Sequence, residues 1–354
     1  MAGRTRGPWP GMQRAGLWLA SVPYGWAVRC RNLLYEHGWK RGYRAPVPVV
    51  SIGNLTLGGT GKTPCVEYVS RLYRRHGWQV AILSRGYASD RGRNDEALVL
   101  EENLPDVPHL QGPDRAALAR IAVEELESDV LVLDDGFQHR RLHRDLDIVL
   151  IDATNPWGHG YLFPRGLLRE PRSSLRRAGA VILTRCDQVK ATARARLRKV
   201  IARLAPDRPV TESVHQAVDL GNAEQQTCGL DILQSRPIAA FCGIGNPEAF
   251  RETLQRLGAA CCDFRIFPDH HRYSRADVDS LRDWSSRQPG DCLIVTTQKD
   301  LVKIRLSVLG SRPLWALRIQ MRLETGQDLL DRKLLGALSP DPGRSPHAAT
   351  TAIP

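Results

Sequence analysis

The stretch Thr56-Leu57-Gly58-Gly59-Thr60-Gly61-Lys62-Thr63-Pro64 constrains this chain more than any other. An apolar run over 47–52 precedes it and reads as a buried strand. A run over 65–75 follows it and reads as a helix. Strand, glycine-rich turn with Gly-Lys-Thr, then helix is the pattern of a phosphate-binding loop. Glycines let backbone N–H groups curl round phosphate oxygens, and the helix N-terminus adds partial positive charge. The pattern assigns Thr56, Leu57, Gly58, Gly59, Thr60, Gly61, Lys62 and Thr63 to a nucleotide triphosphate. Lys62 would reach the β- and γ-phosphates, and the Thr63 hydroxyl would ligand Mg2+. The strict pattern has Gly at position 56, where this chain has Thr56; the alternative is a plain glycine-rich turn before a helix.

The region around the loop alternates short apolar runs with amphipathic ones. Strands are predicted over 47–53, 79–84, 129–134, 146–152 and 179–184, and helices over 64–76, 113–127 and 190–204. Such alternation predicts an α/β fold: a parallel sheet with helices on both faces and ligand chemistry beyond the carboxyl ends of the strands. Each predicted strand runs into a polar or glycine-containing motif. After the loop come Ser84-Arg85-Gly86-Tyr87, Asp134-Asp135-Gly136-Phe137-Gln138-His139, Asp152 with Asn155-Pro156-Trp157-Gly158, and Thr184-Arg185-Cys186-Asp187. Two extended runs, near 210–218 and 313–321, flank a second α/β block with strands at 237–243 and 291–296 and helices at 247–257 and 274–287. A strand leaving a domain and one returning to it can pair as a two-stranded hinge. The predicted organisation is an N-terminal segment (1–44), a P-loop core (45–209) and hinge strands (210–220 and 312–322). A smaller α/β domain (221–311), a C-terminal helix (323–338) and a disordered tail (339–354) complete it.

Residues 1–44 stand apart. They hold eight of the Lys/Arg residues against one acid, Glu36, and four of the eight tryptophans: Trp9, Trp18, Trp26 and Trp39. The uncharged run from Ala15 to Val28 is too short to span a bilayer and is predicted to break at Pro23. Trp and Lys/Arg around an apolar stretch suit a membrane-interface segment; a core helix and a signal peptide are the alternatives. The net charge of +12 points to acidic partners: phosphates, an anionic membrane surface or nucleic acid. Aromatics are only 6% of the chain and concentrate at the N-terminus, which disfavours nucleic acid. Eight scattered cysteines without a C-x-x-C pair predict reduced thiols in a cytosolic protein.

Leu131-Val132-Leu133-Asp134-Asp135 is an apolar strand ending in two acids, suited to hold Mg2+ opposite the phosphate loop. Asn94-Asp95-Glu96 lies in a polar loop, and Phe267-Pro268-Asp269-His270-His271 lies in the second block. An Asp–His pair is a suitable base for phosphoryl transfer to an alcohol, because the carboxylate orients the imidazole; a pair contributed by two domains would couple catalysis to closure. In Leu168-Arg169-Glu170-Pro171, Arg169 suits a phosphate clamp and Glu170 a metal shell; a salt-bridged loop is the alternative. Thr184-Arg185-Cys186-Asp187 and Thr297-Gln298-Lys299-Asp300 faintly resemble the motif with which GTPases read guanine.

Together these motifs resemble the tetraacyldisaccharide 4'-kinase (lipid A 4'-kinase) family of Gram-negative bacteria. The residues that carry the resemblance are Ser51 to Pro64, Ser84 to Tyr87, Asp134 to His139, Asp145-Leu146-Asp147, Asn155 to Gly158, Leu168 to Pro171 and Lys299-Asp300. They cover roughly 15–325. That family carries Ser or Thr where the strict loop has Gly, which accommodates Thr56. The resemblance implies transfer of the ATP γ-phosphate to the 4'-hydroxyl of a tetraacyl glucosamine disaccharide 1-phosphate, with Mg2+. It also implies a peripheral position on the cytoplasmic face of the inner membrane and two α/β/α domains joined by a two-stranded hinge. Lys62 and Thr63 match the nucleotide-binding pair, and Asp134 and Asp135 the acids opposite it. Asp95 and His270 match the pair that activates the hydroxyl, with His271 beside it as the other candidate. Tyr87, Arg115, His139, Arg169 and Glu170 match other active-site positions. The chain reads Asn94-Asp95-Glu96-Ala97 where the family often has Gly-Asp-Glu-Pro. Residues 15–43 are expected to dock on the membrane, and the protein is expected to act as a monomer without nucleic acid. The competing reading is a P-loop NTPase switch or metallochaperone without a lipid acceptor.

Overall fold

The computed structural model describes residues 8–86 and 95–338. In chain order, α1 (Pro8–Glu36), β1 (Val49–Asn54), α2 (Lys62–Arg75), β2 (Val80–Ser84) and α3 (Asp95–Asn103) come first. Next are β3 (His109–Gln111), α4 (Arg115–Glu124), β4 (Val130–Asp134), β5 (Leu146–Asp152), β6 (Ala180–Thr184) and α5 (Ala191–Leu204). There follow β7 (Val210–Gly221), β8 (Thr227–Cys228), α6 (Ile232–Ser235), β9 (Pro237–Cys242), α7 (Pro247–Arg256) and β10 (Ala260–Ile266). Last come α8 (Arg275–Ser286), β11 (Leu293–Thr297), α9 (Gln298–Ile304), β12 (Val308–Leu309), β13 (Arg312–Thr325) and α10 (Gln327–Gly336). The chain forms two compact units, Met1–Gly86 with Leu104–Val214 and Met321–Pro354, and Tyr87–Asn103 with His215–Gln320. It passes between them within β7 and β13.

The first unit holds strands in the order β3-β2-β4-β1-β5-β6-β7, every neighbouring pair parallel. A parallel sheet is covered on both faces, so its strands read as near-continuous apolar runs. Val49, Leu131, Leu133, Ala81 and Leu83 pack with Ala119 and Ala122 of α4. Val149, Ile151, Val181 and Leu183 pack with Leu197 and Ile201 of α5 in a separate cluster. β1 lies between β4 and β5: its own crossover leads to β2 on one side, while β4 continues to β5 on the other. That reversal of strand order opens a crevice at the carboxyl end of β1, where the glycine-rich stretch begins.

The second unit has the parallel order β10-β9-β11-β13, with β13 beside β7. Phe241 sits on one face, with Phe267, Tyr273 and Trp284 edge-on to it. The fully buried carboxylate of Asp300 organises this unit. It accepts from the Gly243 N–H at 3.0 Å, the Thr297 hydroxyl at 2.6 Å and the Tyr273 hydroxyl at 3.1 Å, and pairs with Lys303 at 3.0 Å.

Three elements differ from expectation. Helix α1 runs through Pro23 instead of breaking there. It buries Ser21, Gly25, Val28 and Asn32 on one side, and that packing offsets the hydrogen bond that proline removes. Its other side exposes Met12, Trp18, Leu19, Val22, Trp26 and Leu33. Asp95 and Glu96 open α3 rather than lying in a loop. This helix groups with the second unit rather than the P-loop core, because Gln298 of α9 donates to Glu102 and Asn103 and Lys299 pairs with Glu96. Residues 323–325 finish β13, so α10 starts only at Gln327. The predicted tail over 339–354 lies outside the described residues.

Replacing Asp300 with Ala strands a buried cation and several donors at once. The expected loss is roughly 3–5 kcal/mol, read as a lower urea midpoint; an unchanged midpoint would refute the anchoring role.

Candidate functional site

The loop after β1 is held as backbone. Leu57 N–H donates to the Leu167 carbonyl at 2.7 Å, and Arg169 N–H donates to the Leu55 carbonyl at 2.8 Å. Gly58 and Gly61 have φ of 105° and 85°, left-handed values that favour glycine. Gly61 caps α2, so Lys62 and Thr63 occupy its first turn. The Thr60 hydroxyl accepts from the Asn54 amide at 2.8 Å. Thr184 donates to the Thr60 carbonyl at 2.9 Å, and Arg185 donates to the Gly59 carbonyl at 2.8 Å while pairing with Asp152. The motif at 184–187 therefore props the loop. Arg185 was missed as a loop support because it lies 126 positions from Gly59.

β4 brings the acids to the same edge, since Asp134 is in register with Ile52 of β1. The Asp135 carboxylate faces Lys62 at 3.7 Å and Arg169 at 2.7 Å. Burial pushes its pKa up, but Lys62 and Arg169 outweigh that and hold it below the usual carboxylate range. Its φ of 51° lies in a region that costs a non-glycine residue energy and that recurs at functional sites. Arg115 is buried and donates to the Asp134 carbonyl at 3.3 Å. Thr63 and Asp134 are buried oxygen donors. Two hard oxygens next to a phosphate cradle fit Mg2+, which takes one or two protein ligands and completes its shell with phosphate and water.

Glu170 stands elsewhere than the metal shell expected of it. The carboxylate is fully buried and held by Arg31 at 2.6 Å, Arg177 at 2.8 Å and Asn32 at 3.2 Å. Burial alone would raise its pKa; Arg177 and Arg31 hold it low. It fastens α1 to the segment after the loop. The Tyr24 hydroxyl adds to this by donating to the Arg169 carbonyl at 2.9 Å.

In the second unit His270 Nδ1 lies 3.0 Å from Asp95 Oδ2. Asp95 is buried, whereas the His270 side chain is 61% exposed. His270 also has a positive φ, 56°. The neighbouring His271 is the other kind of histidine: it stacks on Phe267, centroids 4.9 Å apart, and pairs with Asp277 at 3.2 Å. Asp95 thus selects His270. In the motif at 297–300, Lys299 pairs with Glu96 and Asp300 is an interior anchor. Tyr87 lies outside the described residues.

His139 is half-buried beside arginines. Burial, then Arg115 and Arg144, push its pKa down to about 4, and its Nε2 has no hydrogen-bond partner among the described residues. It is therefore a neutral imidazole above about pH 5. His139→Gln should leave the shape of the pH profile of kcat/KM unchanged from about pH 5 to pH 9. A lost limb near neutrality would show that His139 works charged.

The profile of the tetraacyldisaccharide-1-P 4'-kinase family matches residues 13–339. The tetraacyldisaccharide 4'-kinase of Anaeromyxobacter sp. (strain K) is 41% identical, over 97% of this chain and 96% of its own length. That of Syntrophus aciditrophicus is 38% identical over 86% and 88%. The crystal structure of LpxK from Aquifex aeolicus in complex with ATP superposes with a TM-score of 0.75 at 31% identity, covering 92% of this chain and 99% of that one. With a glycine-rich cradle, a carboxylate edge and this near full-length similarity, the chain belongs to the tetraacyldisaccharide 4'-kinase family.

Proposed function

We propose that this protein transfers the γ-phosphate of ATP to the 4'-hydroxyl of a tetraacyl glucosamine disaccharide 1-phosphate. The reaction takes place with Mg2+ at the cytoplasmic face of the inner membrane. The carrying observation is the Asp95–His270 pair, 3.0 Å apart, in a chain that also holds a phosphate cradle. A nucleotide switch or metallochaperone has no use for a pair that activates an alcohol.

Loop amides and Lys62 hold the phosphates, and Thr63 with Asp134 and Asp135 faces the metal. When bound, Mg2+ would neutralise charge on the β- and γ-oxygens. Arg169 is oriented by Asp135 and adds positive charge where the transferring phosphoryl group needs it. Asp95 accepts from His270 Nδ1–H, which fixes the tautomer with Nε2 as the free acceptor. Nε2 takes the hydroxyl proton as the new P–O bond forms, and Asp95 stabilises the resulting imidazolium. Arg115 and His139 suit sugar or phosphate oxygens of the acceptor.

The exposed face of α1 supports the membrane position. Met12, Leu19, Trp26 and Leu33 recur every seven residues, with Trp18 and Val22 beside them, and basic residues flank the segment. No described helix is long and apolar enough to cross a membrane.

The reaction is tested with ATP, Mg2+ and a monophosphorylated acyl disaccharide in detergent, the product being a bis-phosphorylated lipid. Asp95→Ala and His270→Ala should each lower kcat by roughly 10²-fold, and the double variant no further. Fully multiplicative losses would argue against a pair acting as one unit. Changing Trp18, Leu19, Val22 and Trp26 together to Ser should release the protein from vesicles and raise apparent KM by roughly tenfold, with kcat and Tm kept. Unchanged vesicle partitioning would exclude this face as the docking surface.

A further inference from the structure

The second unit contains a pair of thiols that the transfer reaction does not use. Cys262 and Cys292 place their sulfurs 3.7 Å apart. They are 30 positions apart in sequence, and both are free. Cys262 is exposed and Cys292 buried. Cys262 is the residue at which the pairing of β10 with β9 shifts register, between Cys261 and Asp263. A bulge leaves its extra residue unpaired in the ladder. The Cys262 sulfur lies on the face of Cys292, which is just ahead of β11, while Cys261 packs on the other face. Arg251, Gln255, Cys261, Asp263 and Phe264 line a cavity of about 310 Å3 with Cys262. The Arg251 guanidinium lies 4.4 Å from the centre of the Phe264 ring and 3.8 Å from the Glu248 carboxylate, a cation lining the same cavity as the accessible Cys262.

We propose that Cys262 is a thiol-exchange site, with Cys292 as its resolving partner, that reacts with small anionic disulfides of the oxidised-glutathione class. In the first step the Cys262 thiolate attacks one sulfur of the small disulfide. The small S–S bond breaks, a mixed disulfide forms on Cys262, and one thiolate leaves. In the second step Cys292 gives up its proton and attacks Cys262 Sγ, and the second small thiol leaves. Two protein thiols are oxidised to one disulfide, and one small disulfide is reduced to two thiols. Arg251 offers charge to the carboxylates of the small molecule. Burial, together with the hydrogen bond to Cys262, raises the Cys292 pKa to about 12. Cys292 is thereby kept from reacting first. The vicinal Cys261 points its thiol at the Asp263 carbonyl, 3.2 Å away, and not at Cys262.

The test uses the reduced full-length protein incubated with oxidised glutathione, quenched in acid, alkylated, digested and analysed by mass spectrometry. The expected product is a Cys262–Cys292 cross-link that dithiothreitol reverses. Cys292→Ser should stop the reaction at a stable glutathione adduct on Cys262, and Cys262→Ser should leave Cys292 unmodified. Arg251→Ala should slow the adduct with glutathione more than that with uncharged hydroxyethyl disulfide. A Cys261–Cys262 cross-link, an untouched Cys262, or oxidation of Cys292 without Cys262 would each overturn the proposal.

Discussion

A carboxylate with no exposure to water must be neutralised where it stands, and Glu170 is such a group. Arg31 and Asn32 reach it from α1, and Arg177 reaches it from the segment downstream. Removing one partner of such an arrangement leaves an uncompensated buried charge, which costs far more than a surface pair contributes. The residue before it, Arg169, holds the Leu55 carbonyl with its backbone and Asp135 with its side chain. One dipeptide thus ties the N-terminal helix, the start of the phosphate loop and the acid opposite Lys62 into a single connected set. Neither the cradle nor α1 can shift without disturbing the other.

The support of the loop is likewise mostly backbone-directed. Leu57, Thr60 and Gly59 are each gripped at a main-chain N–H or carbonyl, by Leu167, Thr184 and Arg185. Side-chain identity in the loop is then constrained chiefly where conformation demands it, at Gly58 and Gly61, and where chemistry does, at Lys62 and Thr63. This explains how a Thr can stand at position 56. It pairs as an isolated strand residue with Leu168, a geometry that needs no positive φ.

The parallel strands were legible because burial on both faces writes them as unbroken apolar runs, so β5 falls on the predicted 146–152. The cradle was legible because its chemistry is local in sequence. What depended on partners far along the chain was not. Glu170 looked like a metal ligand because nothing near it in sequence announces Arg31. Asp300 looked like a base reader because its four partners, spread from Gly243 to Lys303, are visible only in the fold. Asp95 and Glu96, which open α3, were read as loop because the nine-residue helix has weak periodicity and is fixed by Gln298 and Lys299. The choice between His270 and His271 needed geometry too: adjacent residues point to different surroundings, one outward to Asp95 and one into a ring stack.

Helix α1 shows how one segment can pack on a core and still present an apolar face to its surroundings. A helix packed on a core needs one apolar stripe, and a helix lying on a bilayer needs one as well. This one exposes an apolar stripe on one side and buries small and polar residues with Val28 on the other. Gly25 and Val28 face inward with Asn32, while Leu19, Val22 and Trp26 face outward. The polar residues that would mark a single amphipathic face are displaced to the helix interior side, where Arg31 and Asn32 meet Glu170. The outward stripe costs free energy in water, because apolar area stays hydrated. The inward ionic clamp holds the helix in place despite that cost. A helix held by buried charge on one side is free to present hydrophobic surface on the other, and deleting the segment would therefore confound loss of docking with loss of the clamp on Glu170.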